Sequence, residues 1–236
     1  MRKRYRAITL DLFGTVLIQD LGDDGFAEIC AVCSIEPDLA RPLIRAFEAE
    51  LREEFKLLLD RDTTQEEIFP TLRSMFELTF RRLSERFGAD FDAANLTGCL
   101  MESLAQTSVF PETLPILEQL EKEYPICFVS DADIDMVKGT LSSNGLDRFP
   151  AVISEEHRAY KISPNSPLFP KALEILGAKA EETIHAGDQA SDVYGAHQAG
   201  IDCVYINRKG KSLMEGIPSP VIEVPDLQGF VDWLRG

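Results

Sequence analysis

Ala7-Ile8-Thr9-Leu10-Asp11-Leu12-Phe13-Gly14-Thr15 is the stretch on which the fold turns. Its alternation of polar and apolar residues predicts a buried strand over 7–10, and the Gly14-Thr15 pair breaks it. Asp11 then stands at the C-terminal end of a first strand, the edge at which open α/β sheets bind ligands. An Asp that closes a strand is also a common turn residue, so the reading depends on three later segments. Ser130-Asp131 follows the apolar run Ile126-Cys127-Phe128-Val129. Lys161 lies in Tyr160-Lys161-Ile162-Ser163-Pro164, and Gly187-Asp188-Gln189-Ala190-Ser191-Asp192 follows Thr183-Ile184-His185-Ala186.

Outward from the first segment the pattern turns helical. Leu39, Leu43, Ile44, Phe47, Leu51 and Phe55 recur at helical spacing, and so do Phe69, Leu72, Met75, Phe76, Phe80 and Leu83. Asp62-Thr63-Thr64-Gln65-Glu66-Glu67 carries an N-cap signature for the second stretch. From Phe110-Pro111-Glu112 onward strands and helices alternate. Helices are expected at 112–123, 134–143, 168–176, 190–199 and 227–234, and strands at 126–129, 151–153, 183–186, 202–206 and 221–224. Asn144-Gly145, Gly177 and Gly200 serve as helix stops. Such alternation predicts a parallel sheet covered by helices on both faces.

Together the four segments resemble the four motifs of the haloacid dehalogenase-like hydrolase superfamily, and the resemblance runs the length of the chain. It implies an α/β fold: a doubly wound, Rossmann-like parallel-sheet core (residues 1–16 and 109–236) with an inserted α-helical cap domain (17–108). It further implies an aspartate nucleophile at Asp11, a hydroxyl at Ser130 that binds the transferred group, a cationic stabiliser at Lys161 and an acidic metal site at Asp188 and Asp192. Asp11, the backbone carbonyl of Phe13, Asp188 and Asp192 would hold Mg²⁺, with Thr15 and Asp131 beside the substrate. Three carboxylates in one pocket raise one another's pKa unless a cation compensates, and oxygen ligands suit Mg²⁺. Asp188 and Asp192 would otherwise cap the helix expected from Ala190, but Gly187-Asp188 at the end of an apolar strand favours the site.

The chain departs from the phosphatase pattern at Phe13, where those enzymes carry a second Asp as general acid. Phe cannot transfer a proton, and loss of a general acid costs about 10²–10⁴ in rate. Asp-x-aromatic-Gly-Thr instead resembles the 2-haloacid dehalogenase branch, which uses no metal and holds the substrate carboxylate with a cap arginine; Arg41 or Arg45 could serve. Gly187-Asp188 looks phosphatase-like, so the first and fourth motifs pull apart. Three readings follow: a Mg²⁺-dependent hydrolase of a small phosphorylated metabolite, a metal-independent 2-haloacid dehalogenase, and a catalytically weak binding or regulatory protein on this scaffold.

Composition bounds the partners. The 24 Lys and Arg stand against 40 Asp and Glu, a net charge of −16, which argues against nucleic-acid and anionic-membrane surfaces but not against a small anionic substrate. The basic start Met1-Arg2-Lys3-Arg4 precedes too short an apolar run for a signal peptide or membrane span. Five scattered cysteines, Cys30-Ala31-Val32-Cys33 among them, read as reduced thiols of a cytoplasmic monomer or homodimer. His157, His185 and His197 are too scattered for a triad or zinc site, and His185 reads as a satisfied core or supporting residue.

Overall fold

The computed structural model describes residues 5–19, 22–210 and 212–236; the basic start of the chain lies outside them. Six strands form one parallel sheet: β1 (Ala7–Leu10), β2 (Ile126–Ser130), β3 (Ala151–Ile153), β4 (Thr183–Gly187), β5 (Asp202–Ile206) and β6 (Ile222–Val224). The order is β3-β2-β1-β4-β5-β6. The chain therefore runs outward from β1 through β2 and β3, then returns to β4 on the other side of β1. That reversal opens a crevice at the C-terminal ends of β1, β2 and β4.

Both faces of the sheet are covered, and side-chain alternation divides the strands between two apolar clusters. Ile8, Leu10, Phe128, Ile184 and Val204 belong to one; Cys127, Val129, Cys203 and Tyr205 belong to the other. Between β1 and α5 (Thr113–Leu120) come α1 (Gly22–Val32), α2 (Pro37–Leu57), α3 (Leu72–Phe87) and α4 (Ala93–Ala105). Their apolar stripes pack on one another, with Phe47 stacked on Phe80 at 4.3 Å between ring centres. Phe26, Phe80 and Leu96 belong to the same continuous cluster as the sheet residues Leu10 and Phe128. The remaining helices are α6 (Ile134–Ser143), α7 (Ser154–His157), α8 (Leu168–Leu176), α9 (Ala190–Gln198) and α10 (Leu227–Arg235). No helix among the described residues is long and apolar enough to cross a membrane.

One expectation is corrected here. Asp62 does accept a bond from the backbone of Thr64, but the element it caps is a single 3-10 turn, Thr63–Gln65. The helix proper starts only at Leu72, after Pro70, with Thr71 as its cap, so Phe69 lies outside it. The free N–H groups at the start of α3 are satisfied from two directions. Thr71 Oγ1 accepts from Ser74, while Asp133, at the start of α6, accepts from Leu72 at 2.7 Å and from Arg73 at 2.9 Å. A carboxylate there also complements the positive end of the helix dipole. Cys30 and Cys33 are free thiols at the end of α1.

Asp133→Ala should lower the stability of the fold by about 1–2 kcal/mol, the usual cost of a lost helix cap. Urea denaturation measures this, and a variant as stable as the parent would mean that water replaces the carboxylate at no cost.

Candidate active site

Sheet topology brings the separated motifs together. The Asp11 backbone N–H bonds Ala186 O at 3.0 Å, so Asp11 directly extends the β1–β4 pairing. Beyond it the chain folds into a tight turn, with Gly14 N donating to Leu17 O at 2.7 Å. Gly14 has φ +92°, and a Cβ at this position would overlap the Asp188 carboxylate. Gly187 is constrained in the same way by Asp192. Glycine at both places lets two strand-end loops approach to the distance their carboxylates need.

Lys161 is the centre of the cluster. Its side chain is 1% exposed, and its Nζ donates to Asp11 Oδ1 at 2.6 Å and to Asp192 Oδ1. Asp131 Oδ2 stands 3.9 Å from the same ammonium, and Asp131 Oδ1 accepts from the Lys161 backbone at 2.7 Å. Asp188 closes the group: Asp11, Asp188 and Asp192 each place an oxygen within 4.8 Å of the others. Thr15 Oγ1 donates to Asp188 Oδ1 at 3.4 Å, and Ser130 Oγ accepts from Ala132 N at 3.2 Å.

A second chain of polar contacts supports the first from inside the sheet. His185 Nε2 lies 3.1 Å from Asp192 Oδ1, and His185 Nδ1 lies 3.0 Å from Thr9 Oγ1. Burial lowers the His185 pKa and keeps the ring neutral. An ionised Asp192 can only accept, so Nε2 carries the ring proton and Nδ1 accepts from Thr9. Asp192 Oδ2 accepts from Gln189 N at 2.9 Å, which makes Asp192 the third-position partner in a capping box. Asp192 thus caps α9 and holds Lys161 at once, so the helix-cap reading holds for Asp192.

The charges in this pocket do not balance. Burial opposes a charged Lys161, but Asp11, Asp192 and Asp131 outweigh it and hold the ammonium protonated well above the ordinary lysine value. Burial also raises Asp192, yet Lys161 and the His185 hydrogen bond overcome it and hold that carboxyl down at about 2. Burial pushes Asp11 well up, with Lys161 opposing and Asp192 and Asp188 adding to the rise. Burial followed by the charge of Asp192 pushes Asp188 up to about 7. One cation faces four carboxyl groups, and the surplus appears as raised pKa values. Asp11 Oδ2 is buried with no hydrogen-bond partner. Such an atom is costly unless something binds it. The donor set, carboxylate oxygens and one orphaned oxygen, fits a hard divalent cation.

Asp11, Thr15, Asp131, Lys161, Asp188 and Asp192 are therefore joined at the crevice by hydrogen bonds, an ion pair or close oxygens, while Ser130 ends β2 directly before Asp131 and Phe13 is buried two residues after Asp11. Arg45 does not meet them. Helix α2 buries Ala40, Leu43 and Phe47, and helical geometry turns position 45 to the opposite, exposed side. Arg45 makes none of the cluster's hydrogen bonds, which corrects its expected place beside the substrate; Arg41 is exposed as well. Arg208, not singled out from the sequence, donates to Thr15 O at 2.9 Å and to Glu112 at 2.7 Å while lying over the Phe110 ring. It pins the turn after the first motif, and only its place just after an apolar strand pointed toward the crevice. An open groove of about 770 Å³ between α3, α4 and α6 is lined by Thr71, Arg73, Asn95, Met101, Asp133 and Glu155. None of the cluster residues lines it.

Comparisons with known proteins place the chain in a family and a fold. The chain is 29% identical over 185 residues to a glyceraldehyde 3-phosphate phosphatase of Methanopyrus kandleri, covering 72% of this chain and 78% of that protein. It is 27% identical over 122 residues to (S)-2-haloacid dehalogenase 4A of Burkholderia cepacia, covering 50% of this chain and 52% of the other. The crystal structure of an L-2-haloacid dehalogenase superposes with a TM-score of 0.80 at 19% identity, over 99% of this chain and all of that one. Residues 40–206 match the haloacid dehalogenase-like hydrolase family itself. With that match spanning most of the chain and all four motif segments converging on one crevice, the protein belongs to the haloacid dehalogenase-like hydrolases.

Proposed function

We propose that the protein is a Mg²⁺-dependent hydrolase of a small phosphorylated substrate whose leaving group departs without a proton. The observation that carries this reading is the buried, unpartnered Asp11 Oδ2 beside Asp188 and Asp192, in a pocket with more carboxylates than cations. Asp11, Asp188 and the Phe13 carbonyl would hold the cation, with Asp192 completing the set. The cation would offset part of the pocket's surplus negative charge and of the charge on the substrate's phosphate.

The residues then divide the work. The Asp11 carboxylate attacks phosphorus; an O–P bond forms and the bond to the leaving oxygen breaks, its electron pair going to that oxygen. Lys161 balances charge on the transferring group while keeping Asp11 oriented, and Ser130, whose oxygen already accepts from Ala132, donates its own hydrogen to a phosphoryl oxygen. Water next attacks the aspartyl phosphate, the carboxylate of Asp11 is regenerated, and the proton of the water leaves on the phosphate product. Phe13 offers no proton at the position where an acid would serve an alkoxide. Acyl phosphates and phosphoanhydrides, whose leaving groups are weak bases, fit this site best. Residues 17–108 act in this reading as a cap over the crevice.

Phe13 also favours a second reading, 2-haloacid dehalogenation, since halide needs no proton. A panel of acyl, alkyl and aryl phosphates with 2-chloropropionate, each assayed with Mg²⁺ and with EDTA, separates the two. A purely binding role has no support in relatives named for phosphatase and dehalogenase activity.

Asp11→Asn should abolish turnover without unfolding the protein, because an amide cannot form the covalent intermediate. Retained activity in the purified variant would remove Asp11 from the reaction.

Mg²⁺ should raise the melting temperature more at pH 8 than at pH 6. The raised pKa of Asp188, about 7, means that the native cation-free protein holds a proton the unfolded chain has lost. Its stabilising contribution is full below the ordinary carboxylate pKa and falls as pH rises toward 7, and Mg²⁺ must displace that proton. Calorimetry at the two pH values reads this directly; equal shifts would mean that Mg²⁺ displaces no proton from Asp188, and no shift would bring the dehalogenase reading forward.

Phe13→Asp should raise turnover of alkyl phosphates relative to aryl or acyl phosphates, by up to about 10². The ratio of alkyl to aryl turnover in variant and parent is the measurement. An unchanged ratio in a folded variant that binds Mg²⁺ would show that position 13 is not where the acid acts.

A further inference from the structure

Lys161 lies in no helix or strand, yet its ammonium must stand within hydrogen-bond reach of Asp11. A lysine side chain has four rotatable bonds, so its placement depends on what holds the backbone. On the core side Asp131 accepts from its N–H, and α9 packs so closely on its carbonyl that a Cβ on Gly195 would come within 2.5 Å. The other hold comes from residues 63–75, the end of the connection after α2 and the first turn of α3.

Tyr160 and Ile162, the neighbours of Lys161, belong with Leu58, Phe69 and Met75 to one apolar cluster, apart from the two that cover the sheet. The Tyr160 ring stacks on Phe69 at 5.2 Å, and its hydroxyl donates to Pro70 O at 2.6 Å. Arg158 has φ +54°, a conformation that side chains other than glycine rarely adopt unless their surroundings impose it. Its guanidinium donates to the carbonyls of Glu66 and of Glu67 (3.2 Å), while its own carbonyl accepts from Thr63 Oγ1 at 3.0 Å. Ile162 in this cluster also accounts for an apolar residue where the superfamily's motif has proline. Lys161 enters the carboxylate pocket while the residues on either side of it are buried against 63–75.

We infer that residues 63–75 clamp the Lys161 loop, and that Arg158 and Tyr160 are positioning residues that set where the Lys161 ammonium stands. The inference rests on the role proposed above for Lys161. A displacement of about 1 Å at a reacting centre costs up to about 10² in rate. Lys161 acts on charge that develops during transfer, so its displacement should lower kcat and leave KM nearly unchanged.

The test uses the full chain with Arg158→Gly, which keeps the left-handed backbone accessible and removes the guanidinium, and with the double variant Arg158→Gly/Tyr160→Phe. Arg82→Ala, which breaks the Arg82–Glu54 ion pair between α2 and α3, is the control. Acetylation by an N-hydroxysuccinimide ester, read by mass spectrometry, compares buried Lys161 with exposed Lys171 and needs no substrate. Labelling of Lys161 relative to Lys171 should rise at least threefold in the double variant and stay at the parent level in the control. On a phosphate substrate with Mg²⁺, kcat should fall about tenfold with KM within twofold. Labelling at the parent level in both Arg158 variants overturns the inference, whatever activity does. Raised labelling with kcat unchanged in an active parent overturns the positioning role. Raised labelling in a protein that hydrolyses no phosphate leaves the clamp standing and removes the proposed reaction instead.

Discussion

A buried ammonium among buried carboxylates is the constraint around which this molecule is organised. Taking either charge out of water costs several kcal/mol, so Lys161 and its partners persist inside only because they meet at hydrogen-bond distance. The pairing demands that three loops from different strands arrive together and stay there. His185 and Thr9 extend the same network into the sheet, fixing Asp192 from behind so that its carboxylate faces Lys161. Four carboxyl groups share this one ammonium, so the network holds more negative than positive charge. That surplus, together with the unpartnered oxygen of Asp11, is what the proposed cation would offset.

Small residues make the convergence sterically possible. Gly14, Gly187 and Gly195 each stand where a Cβ would run into the site's own side chains or backbone. The first serves the turn after β1, the second the end of β4, and the third the packing of α9 on the Lys161 carbonyl. The helical insertion is tied to the core loops: Asp133 caps α3 from the loop after β2, and Arg158 and Tyr160 bond the backbone of residues 66, 67 and 70. The insertion shares one apolar core with the sheet and is bonded to the loops that carry Asp133 and Tyr160.

Elements with local punctuation are legible in the amino-acid sequence. Helices 134–143 and 168–176 and strands 151–153 and 202–206 run over the expected residues, because glycine or Asn-Gly stops and apolar alternation act within a few residues. Asp62 shows the limit of such signals. Its capping chemistry is real, but Pro70 and the burial of Phe69 against Tyr160 delay the helix to Leu72. Arg45 shows another limit, since an arginine's type says nothing of which side of an amphipathic helix carries it.

The sequence by itself determined the parallel α/β sheet, the strand-end positions of Asp11, Ser130 and Asp188, and the absence of an acid at position 13. Each of these follows from residue type and short-range periodicity. Only the tertiary structure decided that Lys161 is buried rather than solvated, that Asp192 both caps α9 and anchors Lys161, and that Asp11 keeps an unpartnered oxygen. Those facts depend on contacts between residues as far apart as Asp11 and Lys161. A loop lysine reads the same in sequence whether water or carboxylates surround it, and only packing removes the water.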